Sequence, residues 1–454
     1  MRSFRIVYQR VLYTISTSVL LACFLLPLFA QAQESHARRH QQWREDLQYL
    51  KERFPAYDKT LTPFSFLNPA DSNKRYLAAH KNVVEDFIAG IDSLQRHTEQ
   101  LSDEAIMIGM CRLIALSPNA HTRLYLFRVR TVLNNLPIGI SWFEDDIYII
   151  AAPPAYKGLP GARIRAINGV GIDSVKKRVD ELISGNASWK RYMSLYFLRS
   201  PQVMKGLGLS GRGDAMQLTL LLPNGKENVV TMPADFIPQV RPQEIWKDLS
   251  PVTMKRDSLQ HVLAKTPLPL YLSQTHKEYW YTHLEKEGLL YLQFNRTENS
   301  PGSTFQSFID SLITQMKDKP YRKFVLDLRF NTGGNNDIAA KGLHQLAAHV
   351  KDKAVYILTG PATFSAGITT ASLVKQLTGA KIIGEPAGDG LIYLSEGGNV
   401  ILPHSKLYAH YANGIHVSYL SKGFSLQPDQ AVAIRFADYL KGHDPLLQYV
   451  LDQR

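Results

Sequence analysis

Hydrophobic positions recur along the chain in three successive rhythms. Between Trp43 and about Leu116 they fall at helical spacing: Trp43, Leu47, Leu50 and Phe54, then Val83, Phe87 and Ile91, then Ile106 to Ile114. One apolar face per segment predicts helices. From about Leu136 to Pro233 the rhythm shortens to strands and turns. Strands are expected over 138–142, 147–150 and 161–169, the last running into a tight Asn168-Gly169 turn. A helix over 175–182 and strands over 217–222 and 228–232 complete this set. Residues 186–208 exceed what the pattern needs, and Tyr192, Leu195, Tyr196 and Leu198 there predict an inserted helix.

A polar, charged stretch over about 235–275 leads to the third rhythm. The apolar runs Leu289-Leu-Tyr-Leu-Gln-Phe294, Phe324-Val-Leu-Asp-Leu328, Ala354-Val-Tyr-Ile-Leu358 and Lys381-Ile-Ile383 predict buried strands. Helical segments over 337–350 and about 364–377 separate the last three, with Gly379 as a stop signal. Strand, helix, strand, helix, strand is the pattern of parallel crossovers.

Candidate chemistry sits at two strand ends. The strand carrying Asp327 runs into Asn331-Thr-Gly-Gly334, and Thr363-Phe-Ser-Ala-Gly367 places Ser365 where a strand hands over to a helix. In open sheets of this type, sites collect at the carboxyl ends of strands, where helix N-termini present free amides and partial positive charge. Ser365 is the expected nucleophile. The amides of Ala366 and of the Gly333-Gly334 turn, Gly334 in particular, are the expected oxyanion donors. The alternative is that Ser365 only caps its helix.

Composition adds limits. At 454 residues and 45% hydrophobic content, the chain has material for two to four domains. Residues 1–32 read as an export signal: Arg2, Arg5 and Arg10, an apolar core from Val19 to Ala30, and Ala30-Gln-Ala32 for cleavage. A lipoprotein signal at Cys23 is the alternative. Both place the protein in a periplasmic or extracellular compartment. Removal of those arginines would lower the net charge from +12 to +9 and leave Cys111 as the one cysteine, so no internal disulfide is expected. The Arg38-Arg39-His40 run reads as a solvated tail. No P-loop, zinc-finger spacing or RNA-binding signature occurs, so neither nucleic acid nor cofactor is expected. His404, His410 and His416 read as exposed strand histidines rather than metal ligands, with Asn413-Gly414 as a hairpin turn.

Together, the signal, the helical segment, the Gly161 to Gly169 strand and turn, Asp327-Leu-Arg-Phe-Asn-Thr-Gly-Gly334 and Thr363-Phe-Ser-Ala-Gly367 resemble the tail-specific, C-terminal-processing serine peptidase family, in its tricorn and retinoid-binding-repeat branch. The resemblance covers about residue 100 to the C-terminus. It implies an α/β and α+β multidomain protein: a signal peptide over 1–32, a helical domain over 33–130, a PDZ-like domain with a helical insertion over 131–236, and a ClpP/crotonase-like catalytic domain over 237–454. It implies a peptide or unfolded-protein substrate, Ser365 as nucleophile, and the oxyanion donors already named. Where processing peptidases carry a lysine base this chain has Gly390, with Asp389 beside it. The tricorn-like branch instead takes a histidine from a segment of the form Asp-x-His-Thr, which Asn119-Ala-His121-Thr122 resembles, so His121 is the expected base. Glu385, Glu396, a hydroxyl or a carbonyl remain for orienting it. Ile368 stands where the family usually has Glu. The missing lysine and Ile368 keep open a second reading, a catalytically inactive binder of peptides or apolar ligands on the same scaffold. An α/β-hydrolase pairing of Ser365 with His443 is disfavoured because Thr363 stands where the nucleophile elbow needs glycine.

Overall fold

The four apolar runs of the carboxy-terminal region lie side by side in one six-stranded sheet. In the computed structural model, its order is Gln430–Ala431, Lys381–Gly384, Ala354–Thr359, Lys323–Asp327, Leu289–Phe294 and Tyr279–Leu284. Neighbours are parallel throughout except for the antiparallel pair of Tyr279–Leu284 with Leu289–Phe294. The crossover helices are Phe305–Met316, Asn336–Val350 and Ala366–Thr378. Alternate residues of each strand serve different faces. Leu290, Leu292, Leu326 and Ile357 pack with the crossover helices, whereas Leu289, Tyr291, Val325 and Leu358 pack with the C-terminal helix Pro445–Asp452. Burial on both faces is why these strands read as unbroken apolar runs. Gly379 ends its helix in the left-handed region at φ 69°, as its position predicted.

The described residues are 34–61, 83–126, 133–235, 242–253, 259–420 and 425–453. The expected export signal and Cys23 lie outside them. Among the described residues no helix is long and apolar enough to cross a membrane.

The middle region forms a second sheet, whose main path runs Gly139–Phe143, Asp146–Ala152, Arg163–Ile167, Ala215–Leu221 and Glu227–Pro233, all antiparallel. The helix Ile172–Asp180 follows the Asn168-Gly169 turn, and both turn residues have positive φ. The expected insertion consists of two helices, Ala187–Phe197 and Pro201–Gly206. The amino-terminal helices are 34–57, Val84–Arg96 and Asp103–Ile114. One apolar cluster continues from them through the middle sheet and insertion to Phe330, Ala362 and Phe364 at the carboxyl edge of the large sheet. Cys111 is buried and free within it.

Two expectations are corrected. Arg38-Arg39-His40 is not a solvated tail: it belongs to the first helix, where Arg39 pairs with Asp103 at 2.6 Å and His40 is buried. Docking of that helix on Asp103–Ile114 supplies the partner that a tail would lack. Nor is Asn413-Gly414 a hairpin turn. Tyr408–Tyr411 pairs with Gly398–Ile401, and Gly414–Val417 pairs with Ile392–Ser395. The chain reverses at 402–407, where Leu402 N donates to Leu407 O at 2.8 Å and Lys406 has φ 58°. Asn413-Gly414 instead marks the break between the two ladders.

Candidate active site

Ser365 occupies a strained turn between Ala354–Thr359 and Ala366–Thr378. Its backbone has φ 53° and ψ −123°, and its side chain makes no capping hydrogen bond. Such a conformation costs an L-residue on the order of 1–3 kcal/mol, and a residue that served only as a cap would have no reason to bear it. The capping reading therefore fails. The surrounding contacts enforce the turn. Thr363 Oγ1 donates to Leu328 O at 2.9 Å and accepts from Gly360 N at 3.0 Å, while Phe364 N donates to Asn331 O at 2.9 Å. Thr363 thus locks the entry to the elbow through its hydroxyl.

Asn331 organises the glycine turn beside Ser365. Its Nδ2 donates to Phe294 O at 3.0 Å, and its Oδ1 accepts from Gly333 N at 3.0 Å. That bond occupies the Gly333 amide, and among the described hydrogen bonds none takes up the amides of Gly334 or Ala366. Gly333 has φ 97°, and a Cβ there would lie 2.7 Å from Ser365 Cβ and 3.2 Å from Ala366 N. Glycine is required for this approach. A side chain at Gly334 would strike Thr297 O at 2.2 Å.

The remaining part of the Asp327 motif is structural. Arg329 bridges Asp327 and Asp444, each at 2.9 Å, with all three residues buried. Tyr291 Oη donates to Asp327 at 2.6 Å, and the guanidinium lies 4.3 Å from the Tyr271 ring centre. Asp444 also caps the C-terminal helix. Ile368 is fully buried in the core between the sheet and the crossover helices, so an apolar residue there is a packing choice.

His121 lies on the loop after Asp103–Ile114, and buried polar groups fix that loop. Asp58 accepts from the Thr60 amide and hydroxyl, from Thr122 Oγ1 at 3.0 Å and from Ala412 N at 3.1 Å. Burial raises its pKa in spite of these bonds. Asn119 Nδ2 donates to Leu394 O at 3.0 Å, and Leu394 N donates back to Asn119 Oδ1 at 3.1 Å. Between these anchors the imidazole lies against Phe364 at 4.6 Å, tilted by 32°, and stacks with Tyr393 at 5.4 Å, the rings nearly parallel at 14°. The base expected from the first third of the chain thus lies against the residue preceding the expected nucleophile.

The acid beside His121 is Asp389. His121 Nε2 lies 3.3 Å from Asp389 Oδ2, with both side chains almost wholly buried. Neither atom makes a well-angled hydrogen bond, so the pair is a close polar contact. The loop carrying Asp389 is held by Asn186 Nδ2, which donates to Ala387 O at 2.9 Å. Glu385 and Glu396, the acids expected for this role, are engaged elsewhere, with Arg191 at 2.7 Å and with His416 respectively. The available signal was the acid immediately before Gly390. Among the described residues no hydrogen bond joins His121 to Ser365.

Trp189, on the first inserted helix, stacks on the other side of Phe364 at 3.9 Å and 13°. A separate, mostly apolar cavity of about 110 Å³ lies along Gly360, Pro361 and Ala362, lined by Trp142, Tyr192 and Trp246 among others. It includes neither Ser365 nor His121, so it borders the elbow rather than forming the site. Among the described residues no group of three His, Cys, Asp or Glu could hold a metal ion.

The chain shares its fold with mature CPAF, at a TM-score of 0.60 and 12% identity over 91% of this chain and 96% of that one. For CPAF complexed with lactacystin the values are 0.59 and 12%, over 91% and 98%. A CPAF mutant gives 0.58 and 13%, over 91% and 96%. No protein-family model and no curated sequence matches the chain.

Proposed function

We propose that the protein is an exported serine-type peptidase that cleaves peptides or protein tails through an acyl-enzyme on Ser365. The observation that carries this reading is a strained, uncapped serine directly after Phe364, whose ring lies 4.6 Å from the imidazole of a buried histidine-carboxylate pair. Asp389 orients the His121 ring and stabilises the imidazolium. With Nε2 turned to Asp389, Nδ1 is the nitrogen that accepts a proton. Ser365 Oγ attacks the scissile carbonyl carbon as His121 takes its proton, and the oxyanion accepts hydrogen bonds from the Gly334 and Ala366 amides. Collapse breaks the C–N bond, and His121 returns the proton to the departing amine. Water then repeats the sequence, releasing the acid and restoring Ser365.

The antiparallel middle sheet supports a PDZ-like module over 131–236, which would present an extended peptide. The parallel sheet with its crossovers supports a ClpP/crotonase-like catalytic unit over 237–454, and residues 1–32 support export. The test is labelling by a fluorophosphonate, compared between the wild type and Ser365→Ala. A serine-dependent adduct and peptide turnover are expected. No adduct, together with peptide binding that Ser365→Ala leaves unchanged, would establish the non-catalytic binder instead.

A further inference from the structure

Tyr393, on the strand Ile392–Ser395, touches His121 and the first turn of the helix that Ser365 opens. Its ring stacks on His121, and its hydroxyl lies 3.1 Å from Oγ1 of Thr369, whose amide donates to Ser365 O at 3.2 Å. His416 covers the opposite face of the ring at 5.0 Å and 11° and is paired in turn with Glu396. Trp189, Phe364, His121, Tyr393 and His416 therefore form a continuous column of rings, with the imidazole at its centre. The register of this column is set by Asn119 and Leu394. They pair two residues before His121 and one residue after Tyr393.

A phenylalanine would fill this slot equally well as packing. A buried hydroxyl needs a partner, and this one has Thr369, one turn into the helix that Ser365 opens. From this arrangement we propose that Tyr393 is a positioning residue that couples base to nucleophile, its ring fixing the plane of His121 and its hydroxyl bonding Thr369 in the first turn of the helix that Ser365 opens. The inference rests on the assignment of Ser365 and His121 made above. Burial, and secondarily the Asp389 charge, raise the phenol pKa, so the hydroxyl keeps its proton at neutral pH. The charged or titratable groups at this column, among the described residues, include His121, Asp389, His416 and Glu396.

The two roles separate in two variants of the full chain. Tyr393→Phe keeps the ring and removes the hydroxyl. It is expected to unfold at the wild-type temperature, to keep the pH midpoint of fluorophosphonate labelling, and to label about tenfold more slowly, the rate equivalent of one neutral hydrogen bond. Tyr393→Leu removes the ring as well and is expected to shift the pH midpoint, because the imidazole loses its fixed surroundings; Tyr393→Met serves if the leucine variant does not fold. Labelling of Tyr393→Phe at the wild-type rate, or an unchanged midpoint without the ring, overturns the proposal and leaves the peptidase reading standing. Absence of Ser365-dependent labelling in the wild type removes both.

Discussion

Asn119 pairs with the backbone of Leu394, 275 positions away, as one strand pairs with another, donating to its carbonyl and accepting from its amide. A carboxylate could accept here but could not donate. This is the physical content of the departure from the acid of the family motif. Asn119→Asp should leave Leu394 O without a donor and face it with negative charge. The expected cost is about 1–3 kcal/mol in denaturant unfolding, with slower labelling of Ser365. Wild-type stability and labelling in this variant would show that the pairing does not hold the site.

Asp389→Asn keeps the shape of the loop and removes the charge beside His121. Loss of the carboxylate should lower kcat by about 10² to 10⁴-fold with little change in KM, because the imidazolium forms only on the way to the acyl-enzyme. Glu385→Gln, at the Arg191 pair, should leave kcat within about twofold. Steady-state kinetics of the two variants side by side decide which acid serves the base.

Gly333→Ala places a methyl 2.7 Å from Ser365 Cβ and 3.1 Å from Ser365 Oγ, on a residue at φ 97°. The elbow would have to move. Labelling is expected to fall at least 10²-fold, with a loss of about 1–3 kcal/mol in stability. Retained labelling would mean that the serine works from a different position.

Arg329→Met removes the one cation between Asp327 and Asp444 and leaves two buried carboxylates facing each other. Removing one partner of a buried ionic network costs about 3–5 kcal/mol. The loss should be visible in guanidinium unfolding and should shrink in Asp444→Asn/Arg329→Met, where one stranded charge is gone.

His261, beside the Asp146–Ala152 strand, accepts from Leu263 N at 3.0 Å and is neutral in the fold; burial lowers its pKa from 6.5 to about 4. Between those values the unfolded chain binds a proton that the folded chain does not, so stability falls as pH drops through that window. The contribution is fully present above pH 6.5 and amounts to about 3 kcal/mol. His261→Gln should flatten the pH dependence of the unfolding free energy between pH 4 and 6.5; an unchanged slope would assign it to other groups.

Four of the six strands of the large sheet, two of its three crossover helices, the Gly379 stop and the elbow at Ser365 were legible in the sequence, whereas Tyr279–Leu284, Gln430–Ala431 and the helix Phe305–Met316 were not read there. Each legible element is set by residues within a few positions of one another, as periodicity and turn chemistry are. Ile368 and Arg329 show the limit of that reading, since one is a core residue and the other the centre of an ionic network that only the C-terminal helix completes. His121 was legible through its motif and Asn119 as a substitution within it, but the strand that Asn119 would meet was not.

What the chain determines by itself is where strands end and where a serine meets a helix start, because those depend on local backbone preferences and on alternation along a strand. Which acid faces His121, which ring stacks on it, and whether an arginine is solvated or paired were decided by long-range docking. Asp389, Tyr393 and Arg39 acquire their partners from segments hundreds or tens of residues away. No local periodicity encodes such encounters, since burial and electrostatic pairing are properties of the assembled surfaces.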